Sequence, residues 1–201
     1  MIDTSKTTET LAFANVRVNR APVADSLVLL VDAQERLVPA IHDGTAVIAA
    51  VGRLLRGAEC LGIPIRATEH CPEAIGPTVA ALGQHVAADA RLAKRSFDAV
   101  AEPGIRKALD ALGRASVVVV GVEAHVCVAQ TALGLLATGR QVFVAEDACG
   151  SRRPVDREVG LARLRAAGCV PVTVEALLFE WLGNADNPAF KSVLSIIKEA
   201  R

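Results

Sequence analysis

The sequence predicts an α/β fold: a mainly parallel central sheet of about six strands with helices on both faces. Three observations predict it. Short, nearly continuous apolar runs alternate with segments whose apolar residues recur at three- and four-residue steps. The links between them are short. The apolar runs leave no polar face, as expected of strands covered on both sides in a parallel sheet.

The elements follow in order. Residues 1–24 lack a sustained apolar run and read as an entry arm without a signal peptide, so the folded domain is expected over 25–201. SLVLLVD, 26–32, is the first strand. The segment 45–62 is a helix: Val47, Val51, Leu54, Leu55, Ala58 and Leu61 share a face, and Gly62 stops it. IPIRAT, 63–68, is the second strand, followed by a long loop with Pro72, Gly76 and Pro77. RLAKRSF, 91–97, is the third. Proline near the start and glycine at the end frame a helix over 102–113. SVVVVGV, 116–122, is the fourth strand and 127–139 its helix. A strand at 141–147, a helix at 154–168 and a strand at 170–174 continue the alternation. Helices over 175–183 and 188–200 close the chain.

Composition narrows the function. The 201 residues are 52% hydrophobic, enough for one domain with a substantial core. Acidic and basic residues balance at 22 each, and no basic block suggests nucleic acid or a membrane surface. The longest apolar stretch, 117–136, is interrupted by Gly121, Glu123, His125 and Gln130 and does not suit a membrane span. Five cysteines without a C-x-x-C pair argue against a disulfide framework or zinc ribbon and fit a reducing, cytoplasmic setting. Binding of a small-molecule substrate or of another protein is left open. No G-x-G-x-x-G follows the first strand, so no dinucleotide cofactor is expected.

Open parallel sheets bind ligands beyond the carboxyl ends of their strands. Asp32 ends the first strand, Lys94 stands on the third and Cys127 follows the fourth. Each has an ordinary explanation: a helix cap, a solvated charge, a small buried hydrophobe. Their joint position at the ligand edge favours chemistry. The positive end of a helix and a nearby ammonium both favour a thiolate at Cys127. Asp32 is placed to accept the thiol proton, so its loss is expected to slow alkylation of that thiol. Gln34, Glu69, Phe97 and His125 stand near these positions and are the candidate substrate-pocket residues.

The motifs LLVDAQ, AKRSFDA and GVEAHVCVAQTALGLLATGRQVFVAEDACGSR, in this order and spacing, resemble the isochorismatase-like cysteine hydrolases over roughly residues 25–183. TEHCPEAIGPTVAAL and NPAFKSVLSIIK are similar to the branch of isochorismatase-domain-containing proteins whose substrate is not known. The resemblance implies a Rossmann-like three-layer fold and an Asp32–Lys94–Cys127 triad. It implies a cis peptide between Val122 and Glu123, an oxyanion hole made by the N–H groups of Glu123 and Cys127, and a homo-oligomer.

Two departures refine this. The Asp-x-His metal pattern of the nicotinamidase branch is replaced by Thr68, Glu69, His70 and Cys71, so no metal is expected. True isochorismatases lack the nucleophilic cysteine, so Cys127 points to an amide-like C–N bond. Three alternatives stay open: a vinyl-ether hydrolase, a binding or scaffold protein with a vestigial site, and a thiol sensor in which Cys71 or Cys149 resolves Cys127. The apolar tail, with Trp181, Leu182, Phe190, Val193, Leu194, Ile196 and Ile197, suits either a subunit interface or packing on its own sheet.

Overall fold

Six parallel strands run in the order β3-β2-β1-β4-β5-β6 in the computed structural model, which describes residues 19–199. The strands are β1 (Ser26–Val31), β2 (Ile65–His70), β3 (Arg91–Lys94), β4 (Ser116–Val122), β5 (Gln141–Gly150) and β6 (Val170–Val172). The helices are α1 (Gly44–Cys60), α2 (Pro72–Ile75), α3 (Ala80–Gly83), α4 (Pro103–Asp110), α5 (Cys127–Ala137), α6 (Pro154–Ala166), α7 (Val174–Leu182) and α8 (Phe190–Lys198). Most of the entry arm, residues 1–18, lies outside the described residues. The chain winds outward from β1 to β3, then returns to the other side of β1 for β4. This reversal opens a crevice at the carboxyl ends of β1 and β4.

Strand alternation sorts the core into two layers. Val28 and Leu30 of β1, with Val118 and Val120 of β4, face α1, α7 and α8 through Val51, Leu54, Leu177, Trp181 and Val193. Leu27, Leu29 and Val31, with Val117 and Val119, face α4, α5 and α6 through Leu109, Val128, Leu135 and Leu161. Every residue of β1 and β4 is buried, so both faces of each strand carry apolar area. Burying one such side chain contributes about 1.5–3 kcal/mol. Among the described residues no helix is long and apolar enough to cross a membrane.

The apolar tail packs on its own chain. Trp181, Leu182, Val193 and Ile196 are buried, and Phe190 and Ile197 lie against the core. This segment therefore supplies no argument for a subunit interface.

Several boundaries differ from the sequence reading, and those of three strands bear on the site. The second strand begins at Ile65 rather than residue 63 and continues to His70. Pro64 has no N–H to give the ladder, and its carbonyl instead accepts from Val28. The third strand stops at Lys94 because Glu102 Oε1 accepts from Arg95 N, Ser96 N and Ser96 Oγ, turning the chain away. The fifth strand runs on to Gly150 after a register shift beside Gly121. Gly121 is at φ +122, and a Cβ there would lie 2.0 Å from the Val31 carbonyl oxygen. Only glycine admits this approach of β1 and β4 at the crevice.

Candidate active site

Asp32 is the first residue beyond β1. Continued alternation would point it toward the α1 layer, because Val31 already faces the α5 layer. Its backbone instead adopts φ +50, which breaks the alternation. Aspartate tolerates this left-handed conformation better than most residues. The carboxylate comes to rest beside Thr68 and Lys94: Thr68 Oγ1 donates to Oδ1 at 2.7 Å, and Lys94 Nζ donates to Oδ2 at 2.6 Å. Lys94 Nζ also donates to the Ser96 carbonyl at 3.1 Å. Both charged side chains are 0% exposed. Removing either charge would leave the other buried and unpaired.

The sheet order makes this contact longer in reach than the sequence suggests. β3 does not touch β1; β2 lies between them. Lys94 pairs in register with His70 of β2 and extends across that strand to Asp32. Thr68, on the intervening strand, enters the sequence reading only where a metal pattern is replaced, with no catalytic or pocket role. Its signal was its place on one face of β2 with Arg66 and His70, a polar face on a strand of a buried sheet.

Cys127 opens α5 and is 7% exposed, in the same layer as Val31 and Val128. Its thiol is pushed up to about 12, by burial first and then by the Asp32 charge, with Lys94 opposing. These forces oppose the thiolate that the helix start and the ammonium favour. Desolvation of the anion and the adjacent carboxylate outweigh the ammonium. Burial and the carboxylate thus favour the protonated thiol beside the 2.6 Å contact of Lys94 with Asp32.

The turn between β4 and α5 completes the site. The Val122–Glu123 peptide is cis. Ala124 N donates to the Gly150 carbonyl at 2.7 Å, and the Glu123 carbonyl accepts from Val126 N and Val128 N. The N–H groups of Glu123 and Cys127 have no hydrogen-bond partner among the described residues.

The pocket candidates divide. Gln34 is 0% exposed, and its amide is taken up by the backbone of the loop after β2: Nε2 donates to His70 O and Gly76 O, and Oε1 accepts from His70 N. It holds that loop and presents no free amide to a substrate, which corrects its assignment to the pocket. Glu69 is also turned to the loop, accepting from Thr78 N and Thr78 Oγ1 through Oε1. Phe97 is 50% exposed and stacks on His70 at 5.3 Å between ring centroids. Burial, then Lys94, hold His70 below its ordinary value, so this ring is neutral. His125 is half-buried, with Nδ1 3.0 Å from Ser151 Oγ.

All five cysteines are free. Cys71 Sγ lies 3.7 Å from His70 Nε2, and Cys149 Sγ lies against the Val119 carbonyl. Among the described residues no three His, Cys, Asp or Glu side chains group as metal ligands.

Comparison with known proteins bears on the family and the fold. The family described as Isochorismatase domain matches residues 26–176. Isochorismatase domain-containing protein 2A of Mus musculus is 38% identical over 190 residues, covering 94% of this chain and 90% of the relative. The structure of MAR1 ribonuclease from Caenorhabditis elegans superposes with a TM-score of 0.83 at 33% identity, covering 89% of this chain and 92% of that one. The Escherichia coli YcaC gene product, described as an octameric hydrolase of unknown specificity, gives a TM-score of 0.85 at 26% identity, covering 90% and 93%. A parallel sheet in this strand order, with a family match across most of its length, shows that the chain belongs to the isochorismatase domain family.

Proposed function

We propose that the protein is a metal-independent cysteine hydrolase that cleaves an amide-like C–N bond of a small molecule through a thioester on Cys127. The observation that carries this reading is the buried 2.6 Å contact of Lys94 with Asp32, set against the Cys127 thiol. Because the thiol rests protonated, attack and proton transfer are coupled. Sulfur attacks the carbonyl carbon as Asp32 takes its proton. Lys94 stabilises the carboxylate before transfer and the neighbouring sulfur during it. The free N–H groups of Glu123 and Cys127 receive the tetrahedral oxyanion. Asp32 returns the proton to the departing nitrogen, which leaves as ammonia or an amine. Water then gives a proton to Asp32 and attacks the thioester; the acid leaves and Cys127 regains its proton. A covalent nucleophile thus divides one hard displacement into two easier ones.

The assembly is a homo-oligomer, a reading supported by the octameric E. coli relative. Light scattering should give a mass above that of one chain at micromolar concentration; a monomer mass would remove it. The five free cysteines support a cytoplasmic setting.

The test is a panel of small amides and ureides assayed for released ammonia, with Cys127→Ala as control. Cys127→Ala should abolish turnover and keep the fold, since alanine suits a helix start. A rapidly quenched reaction should show acyl mass on the Cys127 peptide. The name of the C. elegans relative sets one comparison arm: RNA cleavage that survives Cys127→Ala would replace the amide reading. Hydrolysis of a vinyl ether indifferent to that substitution would do the same.

A further inference from the structure

Glu123 contributes a main-chain N–H to the site, while its side chain belongs to a separate cluster that the mechanism does not use. Its carboxyl group is held from two directions. Arg152 reaches both oxygens, Nε at 2.6 Å from Oε1 and Nη2 at 3.3 Å from Oε2. His125 Nε2 stands 3.5 Å from Oε2, and the Glu123 side chain is only 12% exposed. On the far side of the same imidazole, Nδ1 lies 3.0 Å from Ser151 Oγ. A carboxylate facing Nε2 selects the tautomer with its proton there, which leaves Nδ1 to accept from the Ser151 hydroxyl. Asp156 adds a second carboxylate 4.0 Å from Nε2.

The order Ser151–His125–Glu123 has the connectivity of a serine nucleophile with its base and orienting acid. Ser151 is 1% exposed, and its hydroxyl is engaged with His125 Nδ1. The chain of contacts is an anchor. Its inner end is fixed to the scaffold, because the Ser151 carbonyl accepts from His42 N. Helix α6 presses on the same turn: a Cβ at Gly160 would lie 2.8 Å from His125 Cα. Residues from β5's end and α6 therefore surround a four-residue turn whose first N–H is free.

We infer that Arg152 and His125 are positioning residues that clamp the Glu123 side chain and thereby aim its N–H at the reacting carbonyl oxygen. This rests on the cysteine-hydrolase reading above. It assigns the pair no contact with substrate. The clamp acts on a step that builds an oxyanion and is silent in a step that does not. Two chemistries at the same sulfur separate these. With p-nitrophenyl acetate, Cys127 sulfur bonds to the acetyl carbon through a tetrahedral oxyanion, p-nitrophenolate leaves, and Asp32 takes the thiol proton. With iodoacetamide, the same sulfur displaces iodide from a methylene carbon, and no oxyanion forms there.

The experiment measures both rates on Cys127, by peptide mass spectrometry at fixed pH, in wild type, Arg152→Met, His125→Asn and Arg152→Lys. Loosening one donor is expected to slow acylation about tenfold in the first two variants, with alkylation within about twofold of wild type. Arg152→Lys should recover part of the loss, since it keeps the charge without the fork. Acylation at the wild-type rate in both clamp variants would overturn the inference. So would a parallel fall in both rates, which would make the cluster a stability element. If wild-type Cys127 takes up no acetyl group, the nucleophile assignment itself fails, and the clamp fails with it.

Discussion

Thr68 donates its hydroxyl to Asp32 Oδ1 at 2.7 Å, from a strand that lies between those carrying Asp32 and Lys94. The carboxylate is thereby held on both oxygens, Lys94 taking the other. A carboxylate that must accept a proton and return it in one direction needs fixed orientation.

Thr68→Val keeps the shape and removes the donor. The buried Oδ1 then loses a partner, at a cost of about 1–3 kcal/mol. Denaturant unfolding should show that loss, and turnover should fall about tenfold as Asp32 loosens. Unchanged turnover would mean that Lys94 alone orients the carboxylate.

Asp32→Asn separates the two roles of the aspartate. Turnover should fall at least a hundredfold, since the proton acceptor is gone. The thiol should nevertheless alkylate faster at neutral pH. Asp32 is one of the groups raising the Cys127 thiol, and without its charge Lys94 faces the sulfur alone. This reverses the sign expected from sequence, where only the loss of a base was visible. The pH profile of iodoacetamide labelling checks it: the midpoint should move down from about 12. A profile moved upward would show that proton abstraction, not charge, limits labelling.

Buried thiols make the fold sensitive to alkali. Cys127 and Cys149 are both pushed up to about 12, by burial first in each case, from an ordinary value of 9.0. Between those values the unfolded chain releases protons that the folded chain keeps. Stability is therefore full below pH 9.0 and falls as pH rises toward about 12. Each thiol contributes a slope of up to about 1.4 kcal/mol per pH unit. Cys149→Ala should flatten the fall of Tm over this range, at the expense of a small cavity. An equal slope in the variant would assign the alkaline loss to other groups.

Gly121→Ala tests the crevice. The added Cβ would meet the Val31 carbonyl oxygen at 2.0 Å, with φ at +122. Neither strand can yield without disturbing Asp32 or the turn before Cys127. A loss of more than about 3 kcal/mol, or failure to fold, is expected. A soluble variant with wild-type Tm would show that β1 and β4 can separate here.

The strands and long helices were legible in the sequence because apolar period, glycine stops and proline starts are local features. Asp32, Lys94 and Cys127 stood out because each falls where such an element ends. Gln34 looked like a pocket residue for the same reason, yet its amide bonds to His70 and Gly76, partners that only folding brings within reach. The left-handed turn at Asp32, the reach of Lys94 across β2 and the hydroxyl of Thr68 follow from strand order, which pairs residues far apart in the chain. The protonation of Cys127 is decided at the same level. Sequence showed a helix start and a nearby ammonium, which favour the anion; burial and the Asp32 charge, both products of tertiary packing, outweigh them and keep the thiol.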